Sequence, residues 1–139
     1  MSFDVASLIP PGDGVLPKWL LLVASMAYIN GVQTFLNPSF ARQVYNASGA
    51  QGTALQARCF AIWNLGSATV RTYAAYHIHN REVYHLCALT FVIAILHFSS
   101  EAIVYKTTKM SKLPGIVVPL IVASSSLTAM ILQYGHYVA

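Results

Sequence analysis

His97 and Glu101 stand four residues apart in an otherwise apolar stretch, a spacing that puts an imidazole and a carboxyl on one face of a helix. Such a pair can accept and donate a proton, which gives the chain one catalytic reading: a small membrane-embedded enzyme acting on a lipid. The structural reading of the same pair is hydrogen-bonding glue between helices. His77, His79, His85 and His136 complete the histidines, and imidazole is a common ligand of zinc and iron. His77 and His79 flank a single residue, with only Glu82 and His85 near them, so the spacing assigns no metal site. The sequence also lacks a glycine-rich phosphate loop, a nucleophile elbow and a dinucleotide fingerprint. No catalytic residue and no cofactor are therefore assigned. Arg58 and Arg71 are the other ionisable groups in apolar surroundings, and charge at membrane depth costs about 3 kcal/mol or more unless it finds a partner.

The elements that must position these groups follow from composition. Of 139 residues, 56% are hydrophobic and 9% charged, with a mean hydropathy of +0.57, against roughly 25% charged in a soluble domain. Eight basic and four acidic residues cannot coat a globule in water, and bare apolar patches of that extent aggregate. The bilayer is the expected solvent. A formal charge of +4, spread thinly along the chain, excludes a nucleic-acid partner, which requires a basic stripe. Crossing the hydrocarbon takes about 20 mostly apolar residues, and four stretches offer them, at 16–35, 55–76, 83–105 and 114–134. The predicted fold is an all-α integral membrane protein, a four-transmembrane-helix bundle forming one domain over residues 1–139. The longest connection, 37–54, reads as a polar loop broken by Pro38, Gly49 and Gly52, and it carries the sequon Asn46-Ala47-Ser48. Arg42, Lys106, Lys109 and Lys112 collect on one side of such a bundle, which the positive-inside rule makes cytoplasmic.

Folding the second and third stretches about residues 77–82 brings Arg58 level with Glu101, so the two are expected to form an ion pair, the alternative being that each snorkels to the headgroups independently from near its span end. Arg71, about five residues from its helix end, is expected to snorkel to the headgroups, with cation-π contact to Trp19 as the second option. Cys59 and Cys87 fall at opposite depths on antiparallel helices, too far apart for a disulfide, and read as two buried, inert thiols. Asn30, Gln33, Asn64 and the Ser124–Ser126 run can hydrogen-bond across helices, and small residues four apart, Ala27 with Gly31 and Ser125 with Ala129, allow close helix approach. So many polar groups exceed what four short helices satisfy among themselves, which predicts a homodimer.

The residues also resemble a known family. Leu55-Gln56-Ala57-Arg58-Cys59-Phe60-Ala61-Ile62-Trp63, continuing to Ser67 and Val70-Arg71, is similar to the second span of the ergosterol biosynthetic protein 28 family. His97-Phe98-Ser99-Ser100-Glu101 with Tyr105 and Thr107, Pro119 to Ser124, and Leu16-Pro17-Lys18-Trp19-Leu20 match in the same order and at similar spacing. Ala61 stands where a glycine is common in the family, and Asn64 where a threonine is common. The resemblance implies a non-catalytic, multi-pass scaffold of the endoplasmic reticulum membrane. Its implied partners are the sterol C-4 methyl oxidase, the decarboxylating dehydrogenase and the 3-keto sterol reductase. Arg58, Trp63, Asn64, Arg71, His97 and Glu101 are the structural or interaction candidates. A sterol- or lipid-binding protein without turnover is the remaining alternative.

Overall fold

A computed structural model of the chain describes residue 2, residues 4–111 and residues 115–139. Its elements are α1 (Leu16–Leu36), α2 (Ser39–Val44), α3 (Ala54–Tyr76), α4 (Arg81–Ile103), α5 (Val117–Leu132) and α6 (Tyr134–Tyr137), with short 3-10 turns at Val5–Leu8 and Gly49–Gln51. No strand occurs among the described residues. The helix starts are written locally. Pro17 sits in the first turn of α1, where its missing N–H costs no hydrogen bond. Thr53 Oγ1 accepts from the Gln56 amide at 3.1 Å and Asn80 Oδ1 from the Val83 amide at 3.0 Å, caps worth about 1 kcal/mol each. Pro119 lies in the first turn of α5, a position that needs no donor to the helix ladder.

The ends of the helices refine the predicted stretches. α4 stops at Ile103 rather than at 105, because Lys106 takes a φ of +56° and turns the chain so that the Thr107 amide donates to the Glu101 carbonyl at 3.0 Å. Tyr134 opens α6 instead of closing α5. Pro114, the predicted start of the fourth stretch, and Lys112, counted among the clustered bases, lie outside the described residues.

α1 and α4, at 21 and 23 residues, are long and apolar enough to cross a membrane. α3 matches α4 in length, but Arg58, Asn64 and Arg71 lower its hydropathy. α5 is apolar with 16 residues, which at about 1.5 Å per residue falls short of the roughly 30 Å hydrocarbon core. Large apolar side chains point outward from the long helices, among them Leu22 and Ile29 of α1, Ile62 of α3, Leu89 and Leu96 of α4 and Ile121 of α5, as a lipid-facing surface requires.

Inside, α1 packs antiparallel on α3. A Cβ at Gly31 would come within 2.9 Å of the Leu65 side chain and 3.1 Å of the Ala61 carbonyl oxygen, so the small residue of α1 is used for contact within the chain. Asn64 Nδ2 donates to Asn30 Oδ1 at 3.0 Å and Tyr28 Oη to Thr69 Oγ1 at 3.0 Å across the same seam. Trp19 Nε1 donates to Ser126 Oγ at 2.9 Å, tying α1 to α5.

The connection 37–54 is not the open polar loop predicted. It contains α2 and buries Ala41 and Tyr45, because Ala41, Val44 and Tyr45 repeat at three and four residues and form one apolar face. It docks on the segment that follows α4. The Ala47 amide donates to the Thr107 carbonyl at 2.8 Å, and Asn46 clamps Lys109, accepting from its amide at 2.7 Å and donating to its carbonyl at 3.3 Å. At the opposite end of the bundle, Tyr137 Oη donates to the Asp13 carbonyl at 2.6 Å, and His79 Nδ1 lies 2.8 Å from the Tyr137 carbonyl.

Candidate functional site

A cavity of about 220 Å³ lies between α1, α3, α4 and α5. Its wall includes Asn30 from α1, Phe60, Asn64 and Arg71 from α3, and Phe91 and Phe98 from α4. Phe60, Asn64 and Arg71 fall on one face of α3 because four and seven residues bring a helix back to the same side. Apart from the two asparagines and the guanidinium, the lining is apolar, and Arg71 is its only charged residue among those described.

Arg71 is 8% exposed. Its Nε donates to Thr90 Oγ1 at 3.2 Å, and its guanidinium carbon sits 4.3 Å from the centre of the Phe91 ring. The expected snorkelling is therefore corrected: the side chain turns inward, and its aromatic partner is Phe91, not Trp19, whose indole is engaged with Ser126. The reason is the face of α3 on which Arg71 lies. It points at α4, where Thr90 offers an acceptor and Phe91 a π-face, and these replace the headgroup contacts. The two Nη groups have no hydrogen-bond partner among the described residues, yet they are not among the fully enclosed unpartnered atoms, which are Thr34 Oγ1, Ser67 Oγ and Thr108 Oγ1. Arg71 is the charged residue in the cavity lining.

A second cluster sits at the other end of α3. Tyr45 Oη and His97 Nε2 share a hydrogen bond of 2.7 Å, and the Tyr45 ring meets Phe60 edge-on at 5.1 Å between centroids. Burial, reinforced by the negative charge of Glu101, pushes the Tyr45 phenol well above its ordinary range, so it remains a neutral hydroxyl. The Glu101 carboxylate accepts a hydrogen bond from the Thr107 hydroxyl, while the Glu101 carbonyl accepts from the Thr107 amide. His97 and Glu101 thus each hold a different connecting segment against the bundle: 37–54 through Tyr45, and the turn after α4 through Thr107.

The expected Arg58–Glu101 ion pair is not formed. The depth match is real, since Phe60 meets Phe98 at the same level with centroids 6.3 Å apart. Arg58, however, lies exposed on the outer face of α3. Its neighbours Ala57, Phe60 and Ala61 occupy the inner face, so the guanidinium points away from α4. Of the remaining candidates, Asn64 bonds to Asn30, and Trp63 is 36% exposed at the rim of the cavity. Both cysteines are free, as expected, but only Cys87 is buried; Cys59 is exposed. Reading by residue type missed Tyr45, Thr90 and Phe91, and it marked Thr107 only through the family resemblance, without its bond to Glu101. Tyr45, Thr90 and Phe91 lie 52, 19 and 20 residues from the groups they engage, so these contacts become visible only once helix faces are known.

Comparison with known proteins adds an independent finding. The model of the family described as "Erg28 like protein" matches residues 16–128. Over 133 residues the chain is 41% identical to "Ergosterol biosynthetic protein 28" of Candida albicans, covering 95% of each. It is 40% identical over 125 residues to the protein of that name from Schizosaccharomyces pombe, covering 89% of this chain and 88% of that one. A human protein named as its homolog is 38% identical over 118 residues, with 84% and 83% covered. No solved structure matches.

Proposed function

The chain belongs to the Erg28 family, involved in ergosterol biosynthesis, and on that premise we propose that it is a non-catalytic scaffold of the endoplasmic reticulum membrane. It gathers the sterol C-4 methyl oxidase, the decarboxylating dehydrogenase and the 3-keto reductase. The observation that carries this reading is the match along nearly the whole chain to proteins named for ergosterol biosynthesis. The engagement of His97 by Tyr45 and of Glu101 by Thr107 supports it, because the pair with a catalytic reading is occupied in fastening connecting segments. In this reading α1, α3, α4 and α5 all cross the bilayer, α3 with Asn64 and Arg71 turned inward and α5 extended by its flanking residues.

Tethering consecutive enzymes raises the effective concentration of each intermediate at the next site, which matters for hydrophobic products that otherwise disperse in the membrane. The scaffold pairs as a homodimer. Gly31 is spent within the chain and Ala129 packs partly against the core, so the exposed Ser125 side of α5 is the small-residue contact that remains available.

Purification in mild detergent is expected to recover the three enzymes, and differently tagged copies are expected to co-purify without them. Loss of the protein should slow flux and accumulate C-4-methylated or C-4-carboxylated sterols while each enzyme keeps its intrinsic activity. A purified chain that transforms a sterol unaided, and stops doing so as Glu101→Gln, overturns the scaffold.

A further inference from the structure

We propose that the cavity is a binding slot for the carboxylate end of a membrane-soluble amphiphile, a C-4-carboxylated sterol, with Arg71 as the residue that holds the anion. The argument begins with an incomplete charge. Arg71 is 8% exposed, its Nε is taken by Thr90, and one face of its guanidinium is covered by Phe91. No carboxylate lines the cavity among the described residues. The two Nη groups remain without a hydrogen-bond partner among the described residues, on a side chain that lines the cavity, and the pair of parallel donors a guanidinium carries is the geometry that grips a carboxylate with two hydrogen bonds.

The rest of the slot describes what the anion is attached to. From Arg71 to Phe60 the lining follows α3 for about 16 Å, at roughly 1.5 Å per residue, and ends among Phe60, Trp63 and Phe98. Beyond the Asn30–Asn64 bond midway, this surface is apolar and aromatic. Met26 of α1 and Val118 of α5 line the cavity and are 47% and 43% exposed, so it opens between these helices toward lipid. At about 220 Å³ it is smaller than the roughly 300–1,000 Å³ pockets that engulf a drug-sized ligand. It therefore takes one end of the molecule and leaves the remainder in the bilayer. Arg71 lies about 7.5 Å from the end of α3, counting roughly 1.5 Å per residue, a depth that a polar group at the end of an apolar body reaches from the interface. A single guanidinium balances a monoanion.

Fatty acids share this chemistry. The assignment to a sterol acid rests on the proposed place of the chain in sterol C-4 demethylation, where a carboxylate is the product of one enzyme and the substrate of the next. A scaffold with this slot holds the intermediate between the two.

The test is equilibrium binding to the purified full-length chain in nanodiscs, without partner enzymes. Its probes are a radiolabelled C-4-carboxylated sterol, the corresponding neutral sterol and a long-chain fatty acid. The sterol acid is expected to bind saturably and about tenfold or more tightly than the neutral sterol, a charged hydrogen-bond difference of ordinary size. Arg71→Gln should abolish that preference and Arg71→Lys should keep part of it. Ala94→Leu, which fills the lining three residues beyond Phe91 on α4 without touching the charge, should weaken the sterol acid on a chain whose folding is checked by its elution profile. Equal binding of acid and neutral sterol, or a preference that survives both Arg71→Gln and Ala94→Leu, overturns the site. Fatty acid binding as tightly as the sterol acid overturns the sterol assignment. Failure to recover the enzymes in a pull-down would defeat the scaffold and leave these binding results standing, so the two readings fail separately.

Discussion

Arg58 and Arg71 are the same residue on the same helix, and the fold treats them in opposite ways. Thirteen residues at about 100° each turn the helix by roughly 220° beyond complete turns, which puts the two guanidinium groups on nearly opposite faces. Arg58 is exposed on the outside of α3. Arg71 is buried against Thr90 and Phe91 at the edge of a cavity. Depth along the helix places Arg58 level with Glu101 and Arg71 near an interface, and by depth alone the first should be paired and the second free. The rotation reverses both outcomes. In a membrane helix, the position of a charge along the axis sets what it costs, and its angle about the axis decides who offsets that cost.

The sharpest way to break the comparison is to truncate both arginines. Arg71→Ala removes a desolvated cation-π contact worth up to about 2 kcal/mol and a charged hydrogen bond, so it should lower stability by about 2–4 kcal/mol in thermal unfolding of detergent-extracted protein. Arg58→Ala should stay within about 0.5 kcal/mol, as exposed substitutions do. Similar losses at the two sites would mean that α3 is rotated from the face described.

A smaller effect should come from packing on the other side of α3. Gly31→Val pushes a branched side chain toward Leu65 and the Ala61 carbonyl, and overpacking of this kind costs about 1–3 kcal/mol. The same change at Gly66, where nothing lies within 4 Å of an added Cβ, should be milder. The pair compares inner and outer faces without any charge.

Double-mutant cycles then separate depth from contact. Glu101→Gln combined with Thr107→Val should show a coupling of about 1.5 kcal/mol, the net worth of a hydrogen bond to a charged group at the low end of its range. Glu101→Gln combined with Arg58→Gln should be additive to within about 0.5 kcal/mol. Coupling in the second cycle and additivity in the first would restore the ion pair.

The smallest expected effect is a pH dependence at the Arg58 end of α3. The Tyr45 phenol is raised by burial and by Glu101, while in the unfolded chain it titrates near 10. Above that pH the unfolded state loses the proton and the folded state keeps it, so stability is complete below pH ~10 and falls as pH rises further. Tyr45→Phe should flatten this part of the alkaline stability profile, and an unchanged slope would mean that the phenol is open to solvent.

Much of the architecture is legible in the residues. Apolar runs of about 20 residues bounded by Pro17, Thr53 and Asn80 mark α1, α3 and α4 to within two residues, because hydrophobic length and caps are local properties. The absence of a bond between Cys59 and Cys87 follows from their opposite depths. α2 was readable in principle from the spacing of Ala41, Val44 and Tyr45, but the glycines and polar residues around it mask a helix of 6 residues.

By itself the sequence determined that the chain is helical and apolar, where its long helices begin and end, and which family it resembles, since each depends on residue type and order along the chain. It did not decide which way each polar side chain faces. Around its own circumference each of the four helices is nearly uniform in hydrophobicity and carries no strong apolar stripe, so composition leaves their rotation open. Tertiary packing alone chose the inward face of Arg71, the outward face of Arg58, the hold of Tyr45 on His97 and of Thr107 on Glu101. The physical reason is that lipid offers polar groups no hydrogen bonds, so each is settled by whichever neighbouring helix or loop brings it a partner.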